Sequence, residues 1–230
     1  MTKETALIIG AGEGLSASLA RLFAREGMRV ALAARKTEKL SALVGETGAK
    51  AYPCDTSKRG DVDQLFAAVT REIAEPDIVV YNPSARSRGP FVELDPIEVE
   101  KALMITCYGG FLVGQAAAKQ MLARGRGSIL VTGASASVKG YAQSAPFAMG
   151  KFGLRGLAQS MARELAPKGI HVAHFVIDGS IAHPGRGVRV SGEDAELQPD
   201  AIAAAYLQIH RQHRSAWTWE VELRPWVENF

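Results

Sequence analysis

Apolar residues along the chain fall into two patterns that take turns. Short unbroken apolar runs predict buried strands at "TALIIG" (5–10), "RVALAAR" (29–35), "KAYPCD" (50–55, weakened by Pro53), "DIVVYN" (77–82), "GSILVTGAS" (127–135), "IHVAHFVID" (170–178) and "TWEVELRPW" (218–226). Between them, apolar residues recur at helical spacing in "LSASLARLFAREG" (15–27), "KTEKLSALVGETG", "RGDVDQLFAAVTREIA", a long stretch from about Asp95 to Arg124, "PFAMGKFGLRGLAQSMARELAP" (146–167) and "PDAIAAAYLQIHRQH" (199–213). The polar, Gly- and Arg-rich segment 179–197 predicts a loop. Strand and helix alternating from end to end predict an α/β fold: a single-domain, Rossmann-like, doubly wound parallel sheet with helices on both faces, spanning 1–230. No repeat, low-complexity tract or linker divides it.

Composition narrows the classes. At 230 residues, 47% hydrophobic and 22% charged, the chain carries enough apolar side chain for a sizeable core and too little charge for disorder. A net charge of +3 with acids and bases interleaved gives no nucleic-acid patch. No apolar run has the length to span a bilayer, and "MTKETALIIGAG" lacks a signal peptide's design, so a cytoplasmic setting is expected. Cys54 and Cys107 form no framework and are expected as buried thiols; no His/Cys/carboxylate spacing suggests a metal. His171 and His174, on a strand, are expected to be structural.

"IIGAGEGLSASLA" joins the first strand to the first helix. Gly10, Gly12 and Gly14 there suit a tight turn and close approach of a phosphate to a helix N-terminus, although a ligand-free tight turn would need the same residues. At the end of the second strand, where an acid would accept ribose hydroxyls, stand Ala34, Arg35 and Lys36. Arg35 suits a 2′-phosphate, which favours NADP(H) over NAD(H); Glu13 argues the other way, and a solvated helix start is the plain alternative.

These residues resemble the short-chain dehydrogenase/reductase family over essentially the whole chain. "IGAGEGLS" is similar to the family's glycine motif, with Ser16 in place of its last glycine; Asp55 in "CDTS" and Asn82 in "YNPSA" match further elements, while Pro83 and Ser84 do not. The resemblance implies nucleotide contacts at Gly10, Gly12, Glu13, Gly14, Leu15, Arg35, Asp55, Asn82, Lys151, Gly179 and Ile181. It also implies a catalytic tyrosine four residues before Lys151, where this chain has Phe147 in "SAPFAMGKFG". The family's serine falls on Ala134, beside Ser135 and Ser137, and its asparagine on Thr106; Asp178 stands where a proline is usual.

A phenyl ring neither gives nor takes a proton. Three readings follow. The first is an oxidoreductase with a relocated acid/base built from Lys151, Ser135 and Tyr141, with Tyr108, His183 and Asp178 as further candidates. The second is a catalytically silent NADP(H)-binding sensor or regulator. The third is a dehydrating or isomerising enzyme, which no residue singles out. Arg86, Arg88, Arg186, Arg189 and His183 lie on segments expected above the strand ends, which suggests an anionic small-molecule substrate or, equally simply, solvated loop charge. The tryptophans gathered near the C-terminus (Trp217, Trp219, Trp226) suggest a homodimer or homotetramer contact, or a cap on the chain's own core.

Overall fold

The computed structural model describes residues 3–228. Seven strands form one parallel sheet: β1 (Thr5–Ile9), β2 (Arg29–Ala34), β3 (Lys50–Pro53), β4 (Ile78–Tyr81), β5 (Gly127–Thr132), β6 (Ile170–Ile177) and β7 (Glu220–Leu223), in the spatial order β3-β2-β1-β4-β5-β6-β7. Every pairing is parallel. Helices α1 (Leu15–Arg25), α2 (Ser41–Thr47), α3 (Arg59–Glu72), α4 (Pro96–Leu103), α5 (Gly109–Arg124), α6 (Ala145–Leu165) and α7 (Pro199–His210) cover the sheet.

The continuous apolar strands are explained by this double cover. Successive side chains of a strand point to opposite faces, and here both faces are buried. Ala6 and Ile8 of β1 join Leu32, Val80 and Phe175 in the core under α1 and α7. Leu7 and Ile9 join Ala33, Val79, Tyr81 and Val131 in the core under α3, α5 and α6. Pro53 costs little because it ends an edge strand.

Strand order reverses between β1 and β4, each of which leads on from the sheet's centre in opposite directions. That switch point opens a crevice at the carboxyl ends of the strands, where such sheets bind ligands.

The expected helix across 95–124 is interrupted. Asp95 caps α4 by accepting from the Ile97 N–H at 2.9 Å, with Pro96 in the first turn. A π-helical turn, Met104–Tyr108, then separates α4 from α5. The extra residue in that turn re-aims the side chains. The closing strand covers only Glu220–Leu223 of the expected 218–226, since Pro225 cannot donate to a ladder. Segment 179–197 carries one parallel bridge, Ile181 to Leu197. Of the tryptophans, Trp217 stacks on His171 (4.7 Å between centroids, 5° between planes), and Trp219 packs against the core beside Arg155. Trp226 alone of the three is largely exposed, at 79%. No helix among the described residues is long and apolar enough to cross a membrane.

Candidate active site

The turn after β1 is held by its backbone. Gly10 and Gly14 have φ of 80° and 79°, the left-handed region that suits glycine. A side chain at Gly10 would also meet the Pro83 nitrogen at 2.8 Å. The N–H groups of Gly10 and Ala11 both donate to the Ala33 carbonyl at 2.9 Å. α1 starts at Leu15 with no side-chain cap, so its first N–H groups face the turn unoccupied by the chain's own side chains. Ser16 is more than a lost glycine. Its buried hydroxyl donates to the Gly10 carbonyl (3.0 Å) and accepts from Asn82 Nδ2 (2.8 Å), tying the β1 turn to the β4 turn.

From this turn an open cleft of about 890 Å³ runs past Ala34, Arg35, Lys36 and Lys39 to Asp55, Asn82 and Ile105. Among the described residues, none of these three cations has a carboxylate within ion-pair distance. Burial works against the Asp55 charge. The Ser57 hydroxyl (2.7 Å) and N–H (3.1 Å), with Lys58 and Arg35 nearby, outweigh it and hold the carboxyl below its usual range. Cys54 is buried, and burial with two nearby aspartates pushes its thiol up to about 12, so it is inert. Cys107 is only half-buried, which corrects the expectation of two buried thiols; it sits in the π-helical turn, which leaves its side chain at the α5–α6 seam near Gly153.

Lys151 lies within α6, 3% exposed, and donates from Nζ to the Thr132 carbonyl at 2.7 Å. Burial, and then the nearby charge of Arg86, lower its pKa to about 7. One turn earlier the buried Phe147 ring carries two cations: the Arg86 guanidinium at 4.0 Å from its centroid and the Lys151 ammonium at 5.9 Å. Thr106, fully buried in the π-helical turn, accepts from the Ala85 N–H at 3.0 Å and lies against Gly150 of α6. Tyr81 donates from its hydroxyl to the Ile105 carbonyl and so fixes the same turn from below.

Other candidates are distributed unevenly. Ser135 is half-buried in a short turn after β5, and among the described residues its hydroxyl has no hydrogen-bond partner. Ser137 is buried and accepts from the Ala134 N–H at 3.1 Å, a structural task. Tyr141 is exposed, its ring facing Lys139 at 5.9 Å. Tyr108 is exposed and stacks on Phe111. Asp178 is buried and paired with Arg224 (3.0 Å) and Lys139 (3.8 Å), which engages it structurally. Gly179 fits where a side chain would meet Pro225 at 2.7 Å, and Ile181 packs on the core under α1 and α7. Leu15 is buried at the start of α1. Glu13 is exposed and faces His183 at 4.0 Å; the His183 ring in turn lies over Gly14.

Behind Lys151, His174 shares Glu220 with Arg155: His174 Nδ1 lies 3.0 Å from the carboxylate, which Arg155 grips twice, at 2.6 and 2.7 Å. Burial lowers the His174 pKa to about 4 against the pull of Glu220, so the ring is neutral at physiological pH. His171 Nε2–H donates to the Thr218 carbonyl, 2.9 Å away. Both histidines are therefore partnered within the framework. No spacing in the sequence announced the His174–Glu220–Arg155 network, which joins three elements distant along the chain.

The profile described as short chain dehydrogenase matches residues 4–181. This chain belongs to that family. A crystal structure of a short-chain dehydrogenase from Rhodopseudomonas palustris is 37% identical, with a TM-score of 0.85 over 98% of this chain and 100% of that one. A D-threitol dehydrogenase from Mycolicibacterium smegmatis is 32% identical over 219 residues, 88% of this chain and 84% of that protein. The crystal structure of a metagenomic short-chain oxidoreductase in complex with NADP is 26% identical, with a TM-score of 0.85 over 98% of both chains. Family membership makes the crevice at the β1–β4 switch point the natural place for nucleotide.

Proposed function

We propose that this short-chain dehydrogenase is an NADP(H)-dependent oxidoreductase that interconverts a carbonyl and an alcohol, with Lys151 as its proton donor and acceptor. The observation that carries this reading is Lys151 itself. It is a buried ammonium, anchored to one carbonyl, with no carboxylate partner among the described residues and a pKa brought to about 7. A group so tuned gives and takes protons at neutral pH.

The residues present fit a nicotinamide nucleotide. The glycine turn and the uncapped start of α1 suit its pyrophosphate, Asp55 and Asn82 line the cleft beyond, and Arg35, Lys36 and Lys39 suit a 2′-phosphate. When bound, the nicotinamide supplies or accepts the hydride. In the reducing direction Lys151 protonates the carbonyl oxygen as it becomes an alkoxide; in the oxidising direction the neutral amine takes the alcohol's proton. Ser135, whose hydroxyl is uncommitted, orients that oxygen. Tyr141, on the exposed loop before α6, is the second hydroxyl within this proposal. The apolar side chains left exposed on and beside α5 and α6, Tyr108, Phe111, Met149 and Phe152, favour a homodimer or homotetramer.

Arg35→Ala is expected to weaken NADPH binding by about tenfold and leave NADH nearly unchanged, because a charged hydrogen bond to phosphate is lost. Fluorescence titration with each nucleotide checks it. For turnover, NADPH oxidation is followed at neutral pH over a panel of ketones and aldehydes, with Lys151→Met as the blank. Turnover above the blank supports the enzyme. Tight NADPH binding with no turnover anywhere in the panel turns the account to the silent sensor, which Phe147 alone would favour.

A further inference from the structure

One arginine lies over the phenyl ring beside Lys151, and three more stand close enough to act on its charge. Arg86 and Arg88 come from the loop after β4, and Arg186 and Arg189 from the loop after β6. The first loop is tied down near the proton donor: the Ala85 N–H reaches Thr106 and the Gly89 N–H reaches the Gln143 carbonyl, just ahead of α6. Arg86 lies on the Phe147 ring. Desolvation there, then the like charges of Arg88, Arg189 and Arg186, lower its pKa, so the four groups share one electrostatic neighbourhood.

Nothing among the described residues neutralises them. Among the described residues no carboxylate lies within ion-pair distance of any of the four or of Lys151, whereas Arg21, Arg59, Arg71, Arg124 and Arg155 all have one. Acids nearby are engaged in other ways: Glu13, in the turn after β1, faces His183, Asp178 pairs with Arg224 and Lys139, and Glu196 accepts from the Arg189 backbone N–H at 3.2 Å. Like charges gathered without counter-charge are unfavourable unless a ligand supplies the anion.

We infer that this cluster is an oxyanion-recognition site, with Arg86 as its anchor, and that the substrate of the proposed oxidoreductase carries a carboxylate or phosphate which the arginines hold while its carbonyl faces Lys151. The guanidinium fork matches either oxyanion bidentately. Stacking on Phe147 fixes the plane of that fork, so the phenyl ring becomes part of the recognition surface rather than a lost catalyst.

The inference rests on the cleft being a substrate site, and its test is separable from nucleotide binding. Calorimetric titrations of the full chain compare levulinate with methyl levulinate, and dihydroxyacetone phosphate with dihydroxyacetone, each with and without saturating NADP⁺. NADPH affinity is measured separately. The expected result is at least about tenfold preference for the charged member of one pair or both, reduced about tenfold by Arg86→Met and similarly by Arg186→Met. Arg186 is exposed, so its replacement does not disturb the core. Preference for levulinate alone assigns a carboxylate, and preference for dihydroxyacetone phosphate alone a phosphate. Equal binding of charged and neutral partners under both conditions overturns the inference, as does a preference that survives both substitutions. Competitive displacement of the anion by NADP⁺ also overturns it, by giving the arginines to the nucleotide. Should NADPH fail to bind while the charged ligands retain their advantage, the cofactor reading falls and the anion site stands.

Discussion

Replacing Lys151 with methionine lowers kcat/KM for carbonyl reduction by about 10²–10⁴-fold, the usual worth of a positioned acid/base. Two pH dependences accompany that loss. Only the ammonium form can protonate an alkoxide, so the wild-type reduction rate falls as pH rises through about 7, the pKa that burial and Arg86 impose on Lys151. Alcohol oxidation needs the neutral amine and rises through the same pH. Stability moves too. The folded-state pKa lies below the ordinary value of 10.5, so between about pH 7 and 10.5 the unfolded chain binds more protons than the folded one. Stability attributable to Lys151 therefore increases with pH across that window, and the cost of burying its charge is fully present below it. Urea midpoints of the two proteins, compared at pH 7 and pH 9.5, should show the wild type gaining on Lys151→Met at the higher pH. A constant difference would mean that Lys151 is not desolvated as its burial requires.

Phe147→Tyr raises reductase activity, by about 10²-fold on the same scale of acid/base catalysis. The ring is buried one turn before Lys151, with the Lys151 ammonium 5.9 Å and the Arg86 guanidinium 4.0 Å from its centroid. Two nearby cations stabilise a phenolate and so acidify a phenol placed there. The assay is NADPH oxidation with the best carbonyl substrate of the wild type, or with a ketone panel if the wild type is slow. An unchanged or lower rate would mean that the ring serves only to seat Arg86, and that the proton travels by a route the phenol cannot join.

The alternation of β1 to β7 with α1 to α7 was legible because parallel strands buried on both faces are continuous apolar runs, and the helices between them keep a polar side. Gly10 and Gly14 were legible for a local reason: their φ values and close contacts are decided within a few residues. The break at Met104–Tyr108 was not. A π-helical turn costs only one register step, and the apolar spacing on either side still looks helical. Nor was the task of Ser16, which appears in the sequence only as a missing glycine and in the fold as the link between Gly10 and Asn82. The pairing of Arg86 with Phe147 was beyond reach because it depends on how a loop after β4 settles on a helix begun far downstream. The gathering of arginines could be suspected from their loops, but their lack of counter-charge required the fold. Tyr141, attractive from its nearness in sequence to α6, is exposed beside Lys139, and Lys151 takes the larger share of the proposed chemistry.

The central claim is that the crevice at the β1–β4 switch point takes a nicotinamide nucleotide whose reactive end lies within reach of Lys151. Its most direct test is titration of the wild-type chain with NADPH and with NADH, following the fluorescence of the reduced nicotinamide. The account predicts saturable binding of both, tighter for NADPH by about tenfold through Arg35 and its neighbours. Binding of neither nucleotide would contradict it, and with it the assignment of Lys151 as the proton donor of a hydride transfer.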